Sequence, residues 1–197
     1  VAAGELVAAA IEGGMLHLAR ADGRYMKRSV VDISAEDWAA LSRGWVSAYD
    51  VKELYHALSR ELAGSNLAAF IALPHFSHVH DVRLASFLLE PLRRDTSVAA
   101  LVGHPGEELD APQQVLYLQR TATAQQQALA DDPKLQYIAE QLDFPLIWSL
   151  FQMERAGIAV DKTVLSVMDK QLTGELAALE AEAYRLVGYE FNLGSPR

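Results

Sequence analysis

Short apolar runs separated by turn residues fill the first third of the chain. These runs cover residues 5–11, 15–20 and 25–31, and they are divided by Gly13-Gly14 and by Asp22-Gly23. An Asp-Gly pair between two apolar runs is typical of a tight β-hairpin, because both residues tolerate the positive φ angles of such a turn. The pattern predicts that the fold begins with strands, two of them joined as a hairpin.

Helical patterns alternate with further apolar runs between residues 34 and 73. Ser34, with Asp37 three positions later, predicts the capped start of a short helix. Asp50 is placed to cap an amphipathic helix that follows it. Two apolar runs are candidate strands, at residues 45–49 and 67–73. Strands interleaved with helices predict an α/β architecture with a mixed sheet.

From about Asp81 onward the apolar residues recur every three or four positions, which indicates helices. Prolines predict where one helix gives way to the next, at Pro91, Pro105, Pro112, Pro133 and Pro145. The last helix is expected to begin at Asp161 and to stop before Gly188, a typical C-terminal signal. The second half of the chain is therefore predicted to be helical.

Charge and composition limit the classes of function. The chain has 26 acidic and 17 basic residues and a net charge of −9, so as a whole it does not attract nucleic acid or anionic membrane. It has no cysteine, which excludes disulfides, thiolate zinc sites and cysteine nucleophiles. No apolar run reaches the roughly 18 residues of a membrane span. We expect a cytoplasmic protein that makes no contact with a membrane.

An ordered set of motifs near the C-terminus resembles a known family. The set consists of Phe144-Pro145-Leu146, residues 153–161, residues 179–182 and residues 191–196. In this order the motifs resemble the family A DNA polymerases of the bacterial polymerase I type. The resemblance implies a ribonuclease H-like 3′–5′ exonuclease fold, a mixed sheet flanked by helices, over residues 1–140. It further implies that residues 141–197 are a helical junction and the base of the polymerase thumb.

A weaker match upstream resembles the second exonuclease motif of that family, Asn-x-Lys-x-Asp. It covers residues 49–54, with Asp50 at the Asn position and Lys52 at the Lys position. Leu54 stands where the family has a metal-binding Asp. The stretch from His80, which includes Asp81, is similar to the helix that follows this motif. The resemblance therefore implies that the second motif has lost its metal ligand.

The third exonuclease motif, Tyr-x-x-x-Asp, is matched by residues 117–121. Tyr117 falls at the Tyr position, and Thr121 stands where the Asp should be. An exonuclease of this type holds two divalent cations on carboxylates, and a leucine or a neutral threonine hydroxyl cannot replace them. The chain also contains no Asp-x-Glu, although such a strand could precede Val1. No catalytic residue, metal ligand or cofactor is expected, and Mg²⁺ is expected only in the polymerase palm outside this chain.

The remaining polar residues of these motifs have structural interpretations. Asp50 and Asp81 each precede an apolar helical stripe, which favours a helix N-cap over a metal ligand. Lys52 is expected to be a solvated lysine on a helix face. Three histidines lie close together after Pro74, namely His75, His78 and His80. Without a cysteine or a second cluster, they are expected on a solvated or partly buried loop and not in a metal site.

Three functions remain open from the sequence. The first is a non-catalytic, exonuclease-like scaffold in a fragment of a DNA polymerase, with the thumb, palm and fingers as partners and primer-template DNA bound through the whole enzyme. The second is an active exonuclease with a rearranged carboxylate site formed by Asp50, Glu53, Asp81 and Glu12. The third is a protein-interaction module, which an exposed apolar patch would favour.

Overall fold

The computed structural model describes residues 5–64 and 73–194. The chain divides into two compact units, Val1–Ala156 and Gly157–Arg197. The first unit contains a sheet with helices on both faces, and the second is built around one long helix. The strand predicted at residues 67–73 falls almost wholly outside the described residues.

Five strands form one sheet within the described part of the first unit. They are β1 (Leu6–Glu12), β2 (Met15–Arg20), β3 (Tyr25–Ser29), β4 (Trp45–Ala48) and β5 (His78–Asp81). The spatial order is β3-β2-β1-β4-β5. Strands β1, β2 and β3 pair antiparallel, whereas β1 pairs parallel with β4, and β4 pairs parallel with β5. The predicted α/β class and mixed sheet are confirmed, and so is the hairpin at Asp22-Gly23.

Helices connect and cover the strands of the first unit. They are α1 (Ala35–Ser42), α2 (Val51–Ala63), α3 (Val82–Leu89), α4 (Val98–Leu101), α5 (Ala111–Ala130), α6 (Pro133–Tyr137) and α7 (Phe144–Ala156). A 3₁₀ turn, Val30–Asp32, precedes α1, and a π-helical segment, Ile138–Asp143, joins α6 to α7. The side chain of Ser34 accepts from the backbone amide of Asp37, so the predicted cap of α1 is confirmed.

The core lies on both faces of the sheet because β1 is covered from both sides. Val7 and Ala9 of β1 belong to a cluster that includes α2 and α7, with Leu58 and Phe151 fully buried. The alternate residues of β1 pack with α5 in a second cluster. A strand buried on both faces shows a continuous apolar run, which explains the apolar stretch in β1.

Strand β5 corrects one prediction from the sequence. His78 and His80 were expected on a loop with His75, but both lie on β5, with His78 beside Trp45 and His80 beside Ser47 of β4. His80 is fully buried, and its Nε2 lies 2.9 Å from Oε1 of Gln125. Burial lowers the pKa of His80, because it penalises the charged form of the ring.

The first compact unit extends to Ala156. Helix α7 is part of this unit because Phe151, which is 0% exposed, stacks on Tyr55 of α2 with 5.3 Å between the ring centroids. The motif beginning at Phe144 therefore lies on a helix that packs on the sheet domain.

The second unit contains helix α8 (Lys162–Val187). Asp161 caps it by accepting from the amides of Thr163 and Val164. Gly188, with φ of 85°, ends it in the left-handed conformation, as its position predicts. Within residues 5–64 and 73–194, no helix combines the length and apolar character needed to span a membrane.

Candidate functional site: the carboxyl ends of the parallel strands

Two acidic residues lie where the parallel strands β4 and β5 end and the next helices begin. Asp81 is the last residue of β5 and is 2% exposed. Its Oδ1 accepts from the amide of Leu84 at 2.8 Å, which caps α3. Its Oδ2 accepts from the amide of Val51 at 2.7 Å, at the start of α2. The predicted cap is confirmed, and the same carboxyl also serves a second helix.

The protonation of Asp81 is determined mainly by its burial. Burial penalises the charged form and raises the pKa of Asp81 to about 7, and the nearby Asp50 carboxylate adds to the increase. The amides of Leu84 and Val51 act in the opposite direction, because they donate to the carboxyl. Near neutral pH this buried side chain can therefore take up or release a proton.

Asp50 occupies the equivalent position after β4. Its Oδ1 accepts from the amide of Glu53 at 3.0 Å, so Asp50 caps α2 as predicted. Its Oδ2 pairs with Nη1 of Arg83 at 3.3 Å. The backbone amide of Arg83 donates to the carbonyl of Tyr49, which ties α3 to the end of β4. Both acids thus connect the sheet to the helices that follow it.

Lys52 forms a specific ion pair. Its side chain is 36% exposed, and its Nζ donates to Glu154 of α7 at 2.7 Å. Nε2 of His56 lies 2.7 Å from the other carboxylate oxygen of Glu154. These two hydrogen bonds lower the pKa of Glu154, and the hydrogen bond that Lys52 donates to Glu154 raises the pKa of Lys52. The lysine is at the surface, as expected, but it links α2 to α7.

A groove of about 440 Å³ lies between β1, α2 and α5, beside Asp50. Its walls are mostly apolar and include Ala9 and Ala10 of β1, Leu54 of α2 and Leu118 of α5. Leu54 is 5% exposed and also belongs to the hydrophobic core. Leu54 is the residue that the resemblance aligns with the metal-binding Asp of the second motif. It is therefore a packed residue in the wall of this groove.

The third motif lies on α5. Thr121 is half-buried and does not line the groove. It lies seven residues after Gln114, which does line it, so the two side chains share a helix face. Tyr117 instead stacks on His104, with 4.2 Å between the ring centroids. The second motif, on α2, and the third motif, on α5, therefore both lie beside this groove.

The four acids of the rearranged exonuclease site do not converge. Asp50 and Glu53 line the groove, Asp81 shares a separate pocket with Asp50, and Glu12 lies at the exposed end of β1. Ala8 of β1 is beside Ser47 of β4, so Glu12 projects about 10 Å past the end of β4. Within the ranges that the structure describes, no three His, Asp or Glu side chains could hold a metal ion.

This architecture, a mixed sheet with helices on both faces, agrees with the similarities that the chain has to known proteins. No protein-family model matches it. It is 26% identical over 76% of its length to DNA polymerase I of Caldicellulosiruptor bescii. It is 31% identical over 74% of its length to the thermostable DNA polymerase I of Thermus filiformis. It is 39% identical over 36% of its length to DNA polymerase I of Pseudomonas aeruginosa.

A solved structure has the same fold. The POL domain of Pol1 from M. smegmatis, in complex with DNA primer-template and dNTP, matches 98% of this chain with a TM-score of 0.70 and 25% identity. The match covers 35% of that chain, and the three curated relatives are covered over 17%, 17% and 8% of their lengths. The resemblance is thus confirmed: the chain is similar in sequence and in fold to family A DNA polymerases of the polymerase I type, and it spans under a fifth of the three curated relatives.

Proposed function

We propose that this chain is the non-catalytic, exonuclease-like portion of a DNA polymerase of the polymerase I type. In this proposal it supports the polymerase domain in DNA replication and repair, and it does not proofread. Nucleotidyl transfer, with its Mg²⁺, takes place in the thumb, palm and fingers of the whole enzyme. Primer-template DNA is likewise bound through the whole enzyme.

The observation that carries this proposal is the composition of the groove between β1, α2 and α5. Hydrolysis of a phosphodiester by two metal ions requires anionic oxygen ligands that hold both cations and generate the attacking hydroxide. Leu54 presents methyl groups where the second motif needs a carboxylate, and β1 contributes Ala9 and Ala10 to the wall. Thr121 offers at most a neutral hydroxyl. These residues support the interpretation that the groove cannot bind the two metal ions that hydrolysis requires.

The competing function is an active exonuclease that uses Asp50, Glu53, Asp81 and Glu12. Both oxygens of Asp81 already accept backbone hydrogen bonds, and both oxygens of Asp50 have donors. Glu53 pairs with Arg60 at 2.7 Å. A metal ion at these residues would have to displace the helix caps at the ends of β4 and β5. The hydrogen bonds of these acids therefore favour the non-catalytic scaffold over an active exonuclease.

A titration with Mn²⁺ separates the two functions. A ligand that binds only the folded state raises the melting temperature, so an occupied two-metal site would stabilise the chain as the ion is added. The proposal expects no such shift beyond the one produced by an equal ionic strength of Na⁺. A Mn²⁺-specific increase that is lost in an Asp50→Asn variant, and retained in an Asp22→Asn surface control, would support the rearranged exonuclease.

A further inference from the structure

A second cavity, of about 290 Å³, lies apart from the groove and has an aromatic wall. It is formed by β4, α2, the start of β5 and the residues before it, the π-helical segment and the start of α7. Its aromatic residues are Trp45, Tyr55, Phe76, Phe144 and Trp148. Two histidines, His75 and His78, and one acid, Glu140, complete its polar lining together with Ser77.

The rings of this cavity hold one another in position. Trp148 meets Tyr55 edge-on at a centroid distance of 4.9 Å and lies 4.7 Å from the ring of His75. Trp45 stacks on His78 at 5.2 Å. Both tryptophans are only half-buried, so part of each ring remains available to a ligand. Rings fixed in this way lose little conformational freedom on binding.

The electrostatic character of the cavity favours a positively charged ligand. Among its described lining residues there is no lysine or arginine, and Glu140 is the one acid. Aromatic faces carry a negative electrostatic potential, which attracts cations placed over the ring. The rings and the carboxylate therefore act in the same direction, within a chain whose net charge is already −9.

The position of Glu140 is a second, independent feature. It lies on the π-helical segment Ile138–Asp143, and π-helical turns are rare and frequently occur at functional sites. Nε2 of Gln136 donates to Oε1 of Glu140 at 3.2 Å, which orients the carboxylate. The π-helical turn thus places the carboxylate of Glu140 beside aromatic side chains, whose packing does not require a charged residue.

We propose that this cavity binds an organic cation, namely a guanidinium or alkylammonium group. Its volume lies at the lower limit for small-molecule pockets, which suits one such group and not a whole nucleotide. A nucleobase could also stack on the rings, but its phosphate would be repelled by Glu140. The cation can be a side chain of a protein partner or a free amine, and both share this chemistry.

Two pairs of nearly isosteric compounds test the proposal on the complete chain at pH 8, where free histidine is neutral. Choline is compared with 3,3-dimethylbutan-1-ol, and Nα-acetylarginine amide with Nα-acetylcitrulline amide, which carries no charge. The readout is the NMR signals of the three indole N–H groups, because Trp45 and Trp148 line the cavity and Trp38 does not. At least one cation should shift the first two signals in a saturable manner, while its neutral partner leaves all three unchanged.

The preferred pair identifies the group: Nα-acetylarginine amide, with the blocked backbone of a peptide residue, points to a peptide side chain, and choline points to a free alkylammonium compound. Glu140→Gln should weaken binding about tenfold. Glu108→Gln, at an exposed acid outside the cavity, should leave it unchanged. Equal binding of the charged and neutral partners, no binding of either cation, or tighter binding of AMP than of both cations would overturn the proposal.

Discussion

The carboxyl group of Asp81 accepts a hydrogen bond from the backbone amide of Val51, 30 residues earlier in the chain, at 2.7 Å. The same carboxyl caps α3 through the amide of Leu84. One buried acid therefore joins the start of two helices to the end of β5. Its position among motif-like residues suggests catalysis, but its contacts are those of a structural element that orders the edge of the groove.

The first prediction concerns the pH dependence of stability. The folded-state pKa of Asp81 is about 7, well above the ordinary value of 3.8, so the folded chain binds this proton more tightly than the unfolded chain does. The stabilising contribution is complete below the unfolded-state pKa and is lost as the pH rises towards 7. Between pH 5 and pH 8 we expect a loss of about 2 to 3 kcal/mol, at roughly 1.4 kcal/mol per pH unit.

Urea unfolding of the wild type and of Asp81→Asn at several pH values measures this contribution. The variant cannot titrate at this position, so the wild-type free energy of unfolding should fall relative to that of the variant as the pH rises. Burial lowers the pKa of His80 and His17, and both residues are common to the two proteins. A wild-type free energy of unfolding that keeps a constant offset from that of the variant over this pH range would show that Asp81 is ionised throughout.

The second prediction tests the role of Leu54 as a packed wall. Leu54→Asp places an unpaired carboxylate at a position that is 5% exposed, and we expect a loss of about 3 kcal/mol in the free energy of unfolding. Thr121→Asp, on a half-buried helix face, should cost about 1 kcal/mol or less. Denaturant unfolding compares the two variants. Equal, small effects would contradict the assignment of Leu54 to the core.

The third prediction follows from the same two positions. The double variant Leu54→Asp and Thr121→Asp should remain without metal-dependent nuclease activity, because β1 still presents Ala9 and Ala10 to the groove. A nuclease assay with Mn²⁺ is to be performed at a temperature at which circular dichroism shows the variant folded. Metal-dependent cleavage by this variant would mean that the remaining residues already form most of an active site.

The fourth prediction concerns the end of the first compact unit. Phe151 of α7 is 0% exposed and stacks on Tyr55, so Phe151→Ala should reduce the free energy of unfolding by about 3 to 5 kcal/mol. Met153, on the same helix, is 69% exposed, and Met153→Ala should change it by less than about 1 kcal/mol. Equal effects in a thermal or urea melt would mean that α7 does not belong to the core of the sheet domain.

A fifth prediction concerns α5, the helix that carries the third motif. Asp110 and Gln113 form a reciprocal capping box at its start, with hydrogen bonds of 2.8 and 3.1 Å. Asp110→Ala should cost about 1 kcal/mol, and Asp110→Asn much less, because asparagine is an equally good N-cap. The free energy of unfolding in urea measures both, and an equal cost would assign the effect to charge and not to capping.

Local chemistry explains why part of the fold could be predicted. Ser34, Asp50 and Asp81 cap helices through amides three residues later, and this spacing is visible in the sequence. Strand β5 could not be predicted because its four residues, His-Val-His-Asp, include a single apolar residue, so only its pairing with β4, as in the register of Trp45 with His78, makes it a strand. Short strands of this kind depend on distant partners.

The candidate sites likewise combine features that the sequence predicts with features that depend on tertiary packing. The assignment of Leu54 and Thr121 to metal-binding motif positions depends on the sequence alone and stays a prediction. The pairing of Lys52 with Glu154, 102 residues later, could not be predicted. The aromatic cavity combines Trp45 and Trp148 from distant segments, and no local pattern marks either residue. Such sites depend on how helices pack against the sheet.

The central claim is that this chain has no exonuclease activity, and release of labelled nucleotides from the 3′ end of single-stranded DNA tests it most directly. The assay uses the complete chain with Mn²⁺, with and without a chelator. We predict no release above the level of the chelated control. Chelator-sensitive release that copurifies with the protein, and that is lost in Asp50→Asn or Asp81→Asn, would contradict the account and establish an active, rearranged site.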